Sequence, residues 1–165
     1  MLINSTVISV FKYGCPILIN SSQQSLNKLN SLLLKCTRPI LGFQSYKWSR
    51  NKILNNLKWS SIFHMVTYES IMFIHKAIFE NYPKLIYNML TFSLRGTQNL
   101  RSIRKPIVKR EPISNKDKNT LIFKSIYFYN KMPDIFRTYN PKKLKKPLKD
   151  FIYNTFSSNC IPKYD

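Results

Sequence analysis

The sequence predicts a mainly α-helical chain: a small helical bundle, an extended basic arm and a C-terminal helix. Three observations point there. Apolar residues recur at steps of three and four over 22–41 and 60–80, the period of one helix face. Hydrophobic residues make up 44% of the 165 residues and include 11 Phe, 10 Tyr and 2 Trp, enough to build one modest core and too many for a disordered chain. Lys and Arg number 27 against 7 Asp and Glu, a net charge of +20, and the excess gathers in two basic runs towards the C-terminus.

The elements follow in order. Residues 3–13 are apolar and β-branched, suiting a short helix or a strand, and Tyr13-Gly14-Cys15-Pro16 should end them because Gly and Pro break regular structure. Ser21 or Ser22 can cap a second helix running to about Leu41. Leu26, Leu29, Leu33, Cys36 and Ile40 form its apolar face, Pro39 should bend or end its last turn, and Gly42 stands at the C-cap position. A short helix around Arg50–Leu57 comes next. The strongest pattern is 60–80, where Ile62, Phe63, Val66, Ser70, Phe73, Ile74, Ala77 and Ile78 line one face. Met65, Tyr68, Met72 and Phe79 cover much of the rest, so this helix belongs at the centre. Tyr82-Pro83 breaks it, and 84–92 reads as one more helix.

The texture changes at 93–118, which carries Pro106, Pro112 and many charges with little periodicity and reads as an extended basic arm. Apolar and aromatic residues return over Leu121–Met132, closed by Pro133. The final helix is expected over about 141–156, with Leu144, Leu148, Phe151, Ile152 and Thr155 inside and lysines on the other sides. An interior proline costs about 3 kcal/mol or more, so Pro147 suggests that this helix starts there instead. The organisation is thus 1–92, a helical region; 93–118, the arm; and 119–165, an aromatic segment with a basic helix.

Several chemistries are disfavoured. Three glycines, at 14, 42 and 96, cannot make a glycine-rich phosphate loop. Two-metal phosphoryl transfer needs clustered carboxylates, and Glu69, Glu80, Glu111, Asp117, Asp134, Asp150 and Asp165 are scattered with no adjacent pair. Cys15, Cys36 and Cys160 lie too far apart for a zinc motif or a disulfide framework. His64 and His75 share a helix face but stand roughly 16 Å apart along it, too far to hold one ion, so packing or surface roles are expected. No Gly-x-Ser-x-Gly elbow is present, and no secretory signal, cofactor or metal is expected. Ile62–Phe79 is interrupted by His64, Glu69, His75 and Lys76, which argues against a membrane span. An intracellular chain, nuclear or cytoplasmic, is expected.

The charge points to a polyanion, RNA or DNA first and an anionic membrane surface second. Residues 101–110 read RSIRKPIVKR and 142–149 read KKLKKPLK. Over 93–150 there are 16 basic residues against 4 acidic, a net of +12. An arm that alternates cations with Ile, Val and Pro can lie along a phosphate backbone, and a solvated loop or nuclear-import signal is the plainer alternative. The expected phosphate contacts are Arg101, Arg104, Lys105, Lys109, Arg110, Lys142, Lys143, Lys145 and Lys146. Tyr127, Phe128 and Tyr129 could stack bases, but their spacing suits a core better.

Read in order, several stretches resemble the segment that follows the palm in non-LTR (LINE-type, Jockey-like) retrotransposon reverse transcriptases. They are Tyr13-Gly14-Cys15-Pro16; Leu26-Asn27-Lys28-Leu29 with Arg38 and Ile40-Leu41-Gly42; and Leu54 with Leu57-Lys58-Trp59. His75-Lys76-Ala77 with Tyr82-Pro83 and Leu85 continues the series, followed by Arg95 with Leu100-Arg101-Ser102. Phe123 with Tyr129-Asn130-Lys131-Met132-Pro133, and Leu144 with Leu148-Lys149 and Phe151, complete it. The family pattern has Trp where Tyr129 stands and Leu-Pro where Ser60 follows Trp59. The resemblance spans about residues 8–156. It implies a thumb-like bundle and C-terminal extension that hold the template–primer duplex and the element's RNA, with the palm and fingers of the parent polymerase as partners. The catalytic Asp-Asp motif lies upstream of this segment in the family, so no polymerase activity is expected of it alone. The rival class is a structural RNA-binding protein such as a divergent organellar ribosomal protein, whose Lys, Asn, Ile, Tyr and Phe richness is shared here.

Overall fold

The computed structural model describes residues 2–42, 47–93, 107–109 and 120–156, with residues 2–5 and 7 and the two short strands described by backbone only. Among the described residues, eight helices and one two-stranded ribbon follow in the order α1 (Leu2–Leu18), α2 (Gln23–Leu41), α3 (Arg50–Leu57), α4 (Ile62–Glu80), α5 (Lys84–Asn88), β1 (Thr91–Ser93), β2 (Ile107–Lys109), α6 (Leu121–Lys131), α7 (Asp134–Arg137) and α8 (Pro141–Thr155). The fold is mainly α, a small helical bundle.

Helix α4 is the axis. Twelve of its nineteen residues are buried, Ile62, Phe63, Val66, Ile71 and Ile74 almost completely, because α1, α2, α6 and α8 all pack on it. A helix enclosed on so many sides needs polar residues that satisfy themselves. Thr67 and Ser70 do so by donating to the carbonyls of Phe63 (3.0 Å) and Val66 (2.7 Å) one turn back. The first turn of α4 is satisfied from two directions. Ser61 Oγ accepts from the His64 N–H, and Asn30 Oδ1 of α2, wholly buried, accepts from the Ile62 N–H at 3.4 Å.

Two elements differ from the sequence reading, and a third settles a choice it left open. α1 does not stop at Tyr13-Gly14-Cys15-Pro16; it continues to Leu18 with Pro16 inside. Burying Cys15 and Ile19 beneath the bundle offsets the one backbone bond that Pro16 removes near the helix end. α8 covers the range expected of it, starting at Pro141 and not at the alternative, Pro147. The Asn140 side chain caps it by accepting from Lys142 N–H at 2.9 Å, and burial of Leu144, Leu148 and Ile152 along one face outweighs the interior proline. The helix expected over 84–92 is only α5, after which β1 pairs antiparallel with β2, Phe92 opposite Val108. Ile107–Lys109, inside the expected arm, is therefore hydrogen-bonded to the chain that leaves α5 rather than standing free.

Gly42 meets its expectation. It closes α2 at φ 71°, a left-handed conformation that suits glycine, and donates to the Arg38 carbonyl at 2.9 Å. Pro39 stays within the last turn of α2 without ending it. The change of texture at 93 and 118 is not a boundary of the core, since α6 and α8 bury Ile126, Phe128, Leu144 and Leu148 in the same cluster as α4.

Candidate nucleic-acid interface

Helix α8 displays the second basic run. At about 100° per residue, Leu144, Leu148 and Ile152 fall on one side and are buried. Lys142, Lys143 and Lys146 fall opposite and are exposed, and Lys145 and Lys149 flank the buried stripe. Five lysines in two turns, with Asp150 as the single acid of the helix, make a cationic ridge on the bundle surface.

The first basic run is placed differently. Arg101, Arg104, Lys105 and Arg110 lie outside the described residues. Lys109 closes β2, paired with Thr91 of β1, so its backbone is tied to the end of α5. Lys109 and the α8 lysines are thus the expected contact residues that the described fold positions.

Other cations are occupied inside the molecule. Arg137, only 4% exposed, donates through Nη2 to the carbonyls of Asn130 (2.8 Å) and Met132 (3.2 Å). It also pairs with Asp134 at 2.9 Å and lies 5.7 Å from the Tyr129 ring. A guanidinium here caps the C-terminal end of α6, where carbonyls and the helix dipole favour positive charge. Lys124 does similar service for α1, donating to the Ile19 carbonyl at 3.3 Å, and burial pulls its ammonium below the ordinary value. These two residues count towards the charge of 93–150 but not towards a binding surface.

The aromatic run resolves in favour of packing. Phe128 and Tyr129 are buried and Tyr127 is half-buried beneath Lys131, whose Nζ stands 4.5 Å from its ring. Burial pushes the Tyr129 hydroxyl up to about 12, the Arg137 charge opposing.

Both histidines are structural clasps. His64 Nε2 lies 3.0 Å from the Phe156 carbonyl and His75 Nε2 lies 2.9 Å from the Tyr139 carbonyl, so α4 is tied at two heights to the chain on either side of α8. Of the packing or surface roles expected of them, packing is the one observed. Burial holds the His64 imidazole below its ordinary value, the Phe156 hydrogen bond opposing.

A cleft of about 170 Å³ opens between α1, the α3–α4 turn, α4 and α8. Lys12, Lys58 and Lys149 border it, with Trp59, Tyr68 and Tyr153 as its aromatic lining and His64 and Glu69 as further polar groups. Burial raises the Glu69 carboxyl above its ordinary value, while Lys12, Lys76 and Lys145 draw it back down. Cys15, below the same face, is pushed up to about 12, first by burial and then by Glu69, so its thiol stays protonated. Sequence reasoning missed this cleft, because its residues come from four separate stretches, and the three that were quoted in motifs, Lys58, Trp59 and Lys149, fall in two different ones.

Among the described residues there is no group of three or more His, Cys, Asp or Glu side chains able to hold a metal, and no helix is long and apolar enough to cross a membrane. No family model, curated protein or solved structure matches this chain.

Proposed function

We propose that this chain binds nucleic acid through its phosphates, as the thumb and post-thumb piece of a non-LTR reverse transcriptase that carries no polymerase site of its own. The observation that carries the proposal is the cationic ridge of α8. Lys142, Lys143 and Lys146 are exposed on one side of a rigid, capped helix within a chain of net charge +20. Ammonium groups at successive turns of a helix can follow the phosphates of one strand, and such contacts position a duplex without reading its bases. The helical bundle and the resemblance of residues 8–156 support the polymerase origin, in which the palm and fingers of the parent enzyme would be the protein partner. The basic residues Arg101, Arg104, Lys105, Lys109 and Arg110 extend the proposed contact surface.

Binding of the purified protein to unrelated duplex and single-stranded oligonucleotides at one fixed salt concentration tests this. Affinities should agree within a few-fold across sequences, because phosphate contacts carry no base information. Lack of binding to any of them, or stoichiometric co-sedimentation with ribosomes, would overturn the reading.

A further inference from the structure

The cleft between α1, α4 and α8 lies beside the exposed face of the α8 ridge and shares Lys149 with it. Its volume is about 170 Å³, and a cavity of about 150 Å³ admits one benzene ring. One six-membered ring therefore fits, and a fused double ring is crowded. Trp59, Tyr68 and Tyr153 offer it aromatic walls, while Lys12, Lys58 and Lys149 place cations around it. His64, 5% exposed, also lines the cleft. Its Nε2 donates to the Phe156 carbonyl, which fixes the ring in the cleft wall. The Glu69 carboxyl is the acceptor that the cleft offers. A carboxylate acceptor beside a single-ring slot suits an N–H group of a pyrimidine base, and surrounding ammonium groups suit the phosphate attached to it.

We infer that this cleft receives the base of an unpaired pyrimidine nucleotide in a bound strand, with the adjoining phosphate among Lys12, Lys58 and Lys149. The inference rests on the nucleic-acid reading above and adds to it a site for one unstacked base beside the α8 ridge.

The test uses duplexes that end in a single-nucleotide 3′ overhang bearing a pyrimidine, a purine or no base. All carry the same phosphates, so their electrostatic contribution cancels. Anisotropy titration of the full chain should give pyrimidine ends about tenfold tighter than abasic ends, the size expected of one base stacked on aromatic rings. Purine ends should fall near the abasic value. Ile8→Trp, which fills the cleft from α1, should erase the pyrimidine advantage and leave the salt dependence unchanged, with far-UV circular dichroism confirming its fold. The wild-type comparison stands even if that variant misfolds. Free cytidine monophosphate supplies the other arm and should compete poorly, since it brings no neighbouring phosphates. Equal affinity for pyrimidine and abasic ends, with salt-dependent binding intact, overturns the cleft assignment and spares the phosphate reading. Tight capture of the free nucleotide alone overturns the strand assignment, and loss of binding to every end overturns both.

Discussion

Arg137 shows how a cation in a very basic chain can belong to the fold rather than to a ligand. Its guanidinium satisfies two carbonyls at the end of α6 while buried against Tyr129. Arg137→Ala leaves those carbonyls without a donor and should destabilise the protein by about 3 kcal/mol, read by urea unfolding. Arg137→Lys should recover only part of this, because one ammonium cannot reproduce the fork that serves both carbonyls. His64 makes a pH-dependent contribution whose sign is fixed by its environment. Its folded value lies below the ordinary 6.5, so the unfolded chain binds the proton more readily. The neutral clasp is therefore intact above that value, and stability is lost as pH falls from there through the folded value. Glu69, raised in the fold, works the other way: its contribution is present at low pH and lost as pH rises through its folded value. Comparing wild type with His64→Gln cancels Glu69 to first order. The wild type should lose melting temperature relative to the variant on going from pH 7.5 to 5, and parallel curves would remove His64 from the account.

At the scale of the elements, α2, α3, α4 and α8 were legible because each carries a local signal: three-and-four spacing, a Ser or Asn cap, a terminal glycine. α4 in particular has Val66 wholly buried at the centre of its predicted face. Val66→Asp should cost about 4 kcal/mol or more by burying an unpaired carboxylate, and an unchanged thermal melt by circular dichroism would mean that this face is not the core. The full length of α1 was not legible. Gly14 and Pro16 are strong local breakers, and what overrides them is burial of Cys15 and Ile19 against partners far along the chain. α8 was read over its full range, with Pro147 as the one local sign against it, and the buried Leu144–Leu148–Ile152 stripe outweighs that proline. The β1–β2 pair was hidden because three-residue strands sixteen positions apart leave no periodic trace. α7 was missed as well, although Asp134 and Arg137 at a spacing of three are its signature.

Over the whole molecule, charge is divided between two tasks. Lys124 and Arg137 neutralise helix C-termini inside the bundle, whereas the α8 lysines project from it. The division could not be read from composition, which counts all cations alike. It also makes the functional claim sharper, because α8 exposes its lysines from a helix whose fold rests on the opposite face. The quadruple variant Lys142→Gln, Lys143→Gln, Lys145→Gln, Lys146→Gln should therefore melt nearly as the wild type does. The decisive measurement is the slope of log K against log salt for duplex binding by the wild type and this variant. Each phosphate contact contributes about 0.9 to that slope, so the account predicts a slope flattened by about 2 to 3.5 units, whatever the base sequence. A variant that folds normally and keeps the wild-type slope would show that the α8 ridge does not touch the phosphates, and the central claim would fail.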